Sequence, residues 1–390
     1  MAKLTSKTVL ILSTLVLSAW KTQATQAADP SLESSFQEWC LQKANLSTEA
    51  KTTVDILLEE AGTTDCESAN NELLSRSELD LSFNKIRDVA PLTGFTNLEK
   101  LDLTFNRITN IDSLSKLTNL EELNLSYNQI IDIKPLRKLT NLEKLSLGFN
   151  PIVDVNSLTK LTKLKSLHLH SNRIENFSDL AELTNLEELD LHGSELTDIS
   201  FLAELTSLES LYLFYNQITN IAPLAGLTNL EKLDLSDNQV TNVTPLAGLT
   251  NLKKVFLESN KVTDVTPLVD LNIEHLNLDN NPIGDMSMLE KLTNLKILSL
   301  EENQVTDLTP LGKLTNLETL YLEENQITDL TPLAGLTNLE ALIIRENQVT
   351  DVTPLARLTN LQLLSLRKNP LTNTVCPLDG SVCIFESPLN

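Results

Sequence analysis

The chain repeats itself every 22 residues, and that constrains its fold more than any other feature. The pattern Leu-x-Leu-x-x-Asn-x-Ile/Val runs from Leu79 to Leu371, with its asparagine at positions 84, 106, 128, 150, 172, 216, 238, 260, 281, 303, 325, 347 and 369. Ser194 takes the asparagine position once, and the step from Asn260 to Asn281 is 21 residues instead of 22. These are fourteen copies of one unit, and a period of this length is the mark of a stacked array.

Each position has a physical task. In Leu123-Asn124-Leu125 the leucines point inward and Asn124 outward, as alternation along a strand requires. One such strand has no partner within its own unit, so the copies must pair side by side into a parallel sheet. The asparagine stands where the chain leaves the strand. Its amide is expected to satisfy backbone groups that the turn strands, including those of the next repeat, because a buried unpaired group costs about 1–3 kcal/mol. The segment that follows, such as Thr328-Asp329-Leu330-Thr331-Pro332-Leu333, carries a proline that disfavours a long helix. It reads as a short 3₁₀ or irregular turn closing the convex side.

Units such as Leu227-Thr228-Asn229-Leu230-Glu231-Lys232-Leu233-Asp234-Leu235-Ser236-Asp237-Asn238-Gln239-Val240 resemble the 22-residue leucine-rich repeats of bacterial internalins and related exported proteins. The resemblance covers residues 36 to 371. It implies an α/β repeat solenoid, a curved horseshoe with a parallel concave sheet, a 3₁₀ or irregular convex side and a small helical N-terminal cap. It also implies a protein partner on the concave face.

The ends complete the domain plan. Lys3 and Lys7 precede an apolar run from Val9 to Trp20, and Thr25-Gln26-Ala27 offers small residues for cleavage, so residues 1–27 read as a signal peptide too short to span a bilayer. The protein is therefore expected to be exported, to the periplasm or beyond, with no membrane insertion. Residues 28–76 read as a helical cap, with Ser47 starting one helix, Gly62 stopping it and Asp65 starting another. Residues 77–371 are the repeats, and 372–390 a disulfide-closed C-terminal cap. Four cysteines allow three pairings. The two ends of the array lie about 60 Å apart, far beyond disulfide reach, which leaves Cys40–Cys66 and Cys376–Cys383.

The formal charge is −23, and losing residues 1–27 removes Lys3, Lys7 and Lys21 and no acid, which leaves −26. Such a surface repels nucleic acid and favours basic partners.

Function is sought in the outward columns. The residue before the first leucine, the one between the leucines and the two before the asparagine hold nine of the sixteen aromatic residues. Phe83, Phe105, Tyr127 and Phe149 precede the asparagine, where a ring can either tuck against the sheet edge or face a ligand. Tyr212, Phe214 and Phe256 face outward by alternation, and with Tyr215 they form the expected partner-binding surface. His168, His170, Asp190 and His192 belong to it through strand register. A secondary acidic patch follows: Glu258, Asp279, Glu301, Glu302, Glu323 and Glu324, succeeded by the basic Arg345, Arg367 and Lys368. Like charges on adjacent strands repel, so the cluster points to a solvated face, to a basic partner or to a bound cation.

The histidine cluster admits two sharper readings. Three imidazoles and a carboxylate on strands about 4.8 Å apart could surround a zinc ion and serve a metal-dependent hydrolase. Ser146, His168 and Asp190 also share one column in triad order. An open sheet offers neither spare oxyanion donors nor exclusion of water. The expectation is therefore no enzyme, no cofactor and no bound metal. The leading function is a non-catalytic protein-binding module, with a glycan- or envelope-binding module as the alternative.

Overall fold

A computed structural model describes residues 29–31, 33–283, 285–378 and 382–385. The proposed signal peptide lies outside the described residues. Fourteen three-residue strands, one per repeat, run from β1 (Glu78–Asp80) to β14 (Leu363–Ser365), and all pair in parallel in chain order. Register is leucine on leucine, as in Leu101 against Leu123 and Leu145 against Leu167. The inward leucines form one continuous buried core from cap to cap. On the other side the repeats close through 3₁₀ turns of three to five residues, such as Thr331–Gly335. The architecture is the curved leucine-rich-repeat solenoid expected from the sequence.

The asparagine column forms a ladder, and its direction corrects the expectation. From Asn106 onward each amide reaches back to the preceding repeat, not forward to the next. Asn128 Nδ2 donates to Leu103 O at 2.9 Å and to Leu125 O at 3.0 Å, while its Oδ1 accepts the Ile108 N–H at 2.9 Å. The turn of one repeat leaves an N–H aimed at the following unit, so the later asparagine must answer it. A second ladder runs along the opposite edge of the strands, where Asn119 donates to Thr96 O and Asn141 to Thr118 O, both at 2.9 Å.

The first ladder breaks twice. Ser194 has no amide to offer, so the Ile174 N–H receives no side-chain acceptor and the Glu195 N–H to Ile174 O bond is not made. At Ile283, after the 21-residue repeat, the N–H bonds locally to Asn281 O, and Asn303 Oδ1 accepts from Asn281 instead. The Gln304 N–H to Ile283 O bond is again missing. At both places the residue after the ladder position turns to positive φ, 56° at Glu195 and 60° at Gln304. Among the described residues that happens elsewhere only at Lys85, in the first repeat, which has no predecessor to bond. At the first break a notch of about 600 Å³ opens beside Ser194, flanked by Phe177 and Phe201.

Both ends are lidded. α1 (Phe36–Leu41) starts with a capping box between Ser35 and Glu38 that the sequence reading did not identify. α2 (Thr48–Glu60) is capped by Ser47 and ends before Gly62 at φ 67°, and α3 (Cys66–Leu74) is capped by Asp65. Phe36 and Trp39 are fully buried between helices and first repeat. Cys40 bonds Cys66, and Cys376 bonds Cys383. The C-terminal lid goes beyond a loop: Cys383–Ile384 form β15, which pairs in parallel with β14.

Candidate functional site

Positive φ recurs at the residue before each ladder asparagine: 60° at Phe83, 54° at Phe105, 57° at Tyr127, 52° at Phe149 and 55° at Tyr215. That conformation suits glycine or asparagine better than a bulky ring. Later repeats fill it with Asp237, Ser259 and Asn280, so the backbone does not demand an aromatic there.

The rings do not tuck away. Phe83 is 68% exposed, and Phe105, Tyr127 and Phe149 about 40%. They stack face to face, with centroids 4.5 Å apart for Phe83–Phe105, 4.0 Å for Phe105–Tyr127 and 4.3 Å for Tyr127–Phe149. The row then shifts one column inward. Phe149 meets His170 edge-on at 5.2 Å, His170 stacks on His192 at 4.1 Å, and His192 stacks on Phe214 at 4.2 Å. Tyr215 closes it, edge-on to Phe214 at 5.6 Å. Eight rings thus run without interruption across the first seven strands.

His170 is the joint of this row. Burial pushes its imidazole down to about 4, against a smaller upward pull from Asp190, and its Nδ1 is buried without a partner. It is therefore neutral at physiological pH and behaves as one more ring. Asp190 is raised by burial, but hydrogen bonds from His192 outweigh that and hold its carboxyl low; its Oδ1 lies 2.8 Å from His192 Nδ1.

That bond separates the residues of the triad row. Ser146, His168 and Asp190 are in register on consecutive strands, yet Asp190 is committed to His192. His168 Nδ1 sits 3.5 Å from Ser146 Oγ, and its Nε2 lies 3.7 Å from the Glu188 carboxylate, both long for proton transfer. The metal reading meets a different obstacle. His170, Asp190 and His192 bring ligand atoms within 4.8 Å of one another. However, the two imidazole planes lie 12° apart in a face-to-face stack. In-plane lone pairs of stacked rings run parallel, so both nitrogens could reach one ion at about 2.0–2.1 Å only after a ring rotation that breaks the stack.

Tyr212 and Phe256 form a second group, two strands apart, joined by a residue the sequence reading passed over. Lys232 Nζ lies 3.2 Å from Tyr212 Oη and sits over both rings, 4.5 Å from the Tyr212 centroid and 5.8 Å from that of Phe256.

The acidic patch divides by depth. Glu302 and Glu324 are exposed. Glu258, Asp279, Glu301 and Glu323 lie one column inward, where burial raises Glu258 and Asp279 above the usual carboxylate range. Glu301 is pushed up to about 7 by burial and by Glu323 and Asp279, with Arg345 opposing. Arg345 is bonded to Glu323.

Leucine-rich repeats define the class. The profile described as "Leucine Rich repeats (2 copies)" matches residues 77–116, 118–270 and 271–335, and the chain belongs to this family. Its relatives among solved structures place it with the bacterial, internalin-like members. An internalin (inlF) of Listeria monocytogenes is 36% identical with a TM-score of 0.73, over 80% of this chain and 93% of that one. An internalin C2 (inlC2) of the same organism is 32% identical at a TM-score of 0.50, over 53% and 92%. An LRR protein of Leptospira interrogans is 28% identical at 0.66, over 78% and 87%. No curated protein sequence matches the chain.

Proposed function

We propose that this chain is an exported, non-catalytic interaction module that holds a protein partner on the concave face of its sheet. The observation that carries the reading is the eight-ring row from Phe83 to Tyr215, placed partly in a backbone conformation that aromatic residues disfavour. Exposed aromatic surface of this extent is the usual core of a protein contact. Tyr212 and Phe256, bridged by Lys232, extend it toward the C-terminal half. Export is supported by the N-terminal apolar segment and by two disulfides, which fit an oxidising compartment. No helix among the described residues is long and apolar enough to cross a membrane.

A glycan ligand is the weaker alternative on physical grounds. Sugars stack on free ring faces, and in this row each inner face is already covered by a neighbouring ring, which leaves edges outward.

The test is capture from envelope and secretome extracts, comparing the mature chain with a variant carrying Tyr212→Ser, Phe214→Ser, Tyr215→Ser and Phe256→Ser. A protein retained by the native chain and lost by the variant is the expected result. Equal retention by both would move the contact off these rings.

A further inference from the structure

Between the inward apolar residues of four consecutive strands the outward residues are Phe256, Asn277, Ser299 and Tyr321, on β9 (Lys254–Phe256), β10 (His275–Asn277), β11 (Ile297–Ser299) and β12 (Thr319–Tyr321). Two short side chains between two rings leave a trough. Its walls stand three strand spacings, about 14 Å, apart at the backbone, and it encloses about 300 Å³. Ile297 and His275 line one flank, and Asp279 and Glu301 the other. Burial, with Lys254 adding to it, lowers His275 below its ordinary 6.5, so the imidazole on that flank is neutral at physiological pH.

Resting on the reading that a protein binds this face, we propose that the trough takes one lysine or arginine side chain of that partner. Its apolar stem would lie between Phe256 and Tyr321, and its charged head would meet Glu301 and Asp279. Charge complementarity selects this occupant. Glu258, Asp279, Glu301 and Glu323 share one column of the sheet, Asp279 and Glu301 line the trough, and the Arg345 guanidinium that opposes the rise at Glu301 is bonded to Glu323. A small metal ion is a poorer match: among the described residues the carboxylates here do not bring three ligand atoms within 4.8 Å, whereas His170, Asp190 and His192 do. An apolar ligand would leave Glu301 with no cation of its own. A long amphipathic cation satisfies both the rings and the carboxylates.

The experiment follows the four histidine C2–H resonances of the mature chain by NMR while Nα-acetyl-lysine methylamide is titrated, with the norleucine analogue as the uncharged control. The expected result is a saturable shift at His275 with the lysine probe and none with norleucine. Glu301→Gln should weaken the lysine response by about tenfold or more, and Glu302→Gln, one column out, should leave it intact. A non-saturating response, an equal response to norleucine, or an unchanged response in Glu301→Gln would overturn the proposal. Because the readout needs no natural partner, failure of the trough is distinguishable from failure of the protein-binding reading, which rests on capture through the rings.

Discussion

A Cβ atom on Gly148 would lie 2.3 Å from His170 Nε2, so the imidazole occupies the space that any other residue at 148 would need. That contact lets the ring row change column between Phe149 and His170, and it keeps His170 buried. Nothing in the Gly148 backbone demands glycine, since its φ is not in the left-handed region.

Gly148→Ala should therefore expel the imidazole while leaving the fold intact. His170 should then titrate close to its ordinary 6.5 instead of about 4. Histidine C2–H shifts followed against pH would show the move, and an unchanged low titration would refute the account. The linked stability change has a definite sign. In the native chain the unfolded state takes up the His170 proton first, so this residue's contribution is lost as pH falls from about 6.5 toward 4. The variant should lose less stability than the native chain over that window.

Ser194→Asn should restore the missing rung. The new amide would accept the Ile174 N–H and donate to carbonyls on either side, as Asn216 does in the next repeat. A gain of about 1–3 kcal/mol is expected in denaturant unfolding, with slowed amide exchange at Ile174. No gain at either would mean that the notch beside Ser194 cannot close around the longer side chain.

Glu301 predicts the opposite pH sense. Its folded pKa, about 7, lies above the ordinary 4.5, so the folded state holds the proton longer and stability falls as pH rises between those values. Glu301→Gln should raise the melting temperature at pH 8 and change little at pH 4. Because the carboxyl is partly exposed, the gain should be only about 1 kcal/mol after solvent screening. A stabilisation equal at both pH values would contradict the assigned cause.

Reducing Cys40–Cys66 should loosen the N-terminal lid, which spans 26 residues of sequence between the two cysteines. Chain entropy sets the loss at roughly 3–4 kcal/mol. Repeats touch only their neighbours, so hydrogen exchange should quicken first in the cap and the earliest repeats. Uniform acceleration along the chain would argue against fraying from that end.

The fold was legible because every repeat states the same rule, and fourteen copies leave no ambiguity about which leucines face inward. Register was legible for the same reason: His168 could be set against Asp190 from spacing alone. What strand spacing could not supply was the direction of side chains within a column. Asp190 had two histidines in reach and chose His192, and the step of the ring row at Gly148 depends on a missing Cβ. Lys232 looked like an ordinary consensus position until its ammonium was seen over Tyr212 and Phe256. The trough was hidden because its floor, Asn277 and Ser299, draws no attention in a search for large or charged residues. Gly193 and Ser194 marked an irregular repeat in sequence, and the 21-residue step marked another. The lost hydrogen bonds at Ile174 and Ile283 show what those irregularities do.

Those two positions make the molecule mechanically three rods in series. Within each rod the asparagine amides tie every unit to the last, and a main-chain bond beside the amide joins them wherever the next residue is not proline, as it is at Pro151, Pro282 and Pro370. At Ile174 and again at Ile283 the ladder is interrupted while the sheet bonds continue, with Glu195 and Gln304 adopting the backbone turn of Lys85 in the first repeat. Tension applied to the two caps should open these couplings before any rod unravels, giving two early steps in a single-molecule pulling trace. The ring row crosses the first coupling, while the trough bears on the second, so a ligand gripping both would act as a splint.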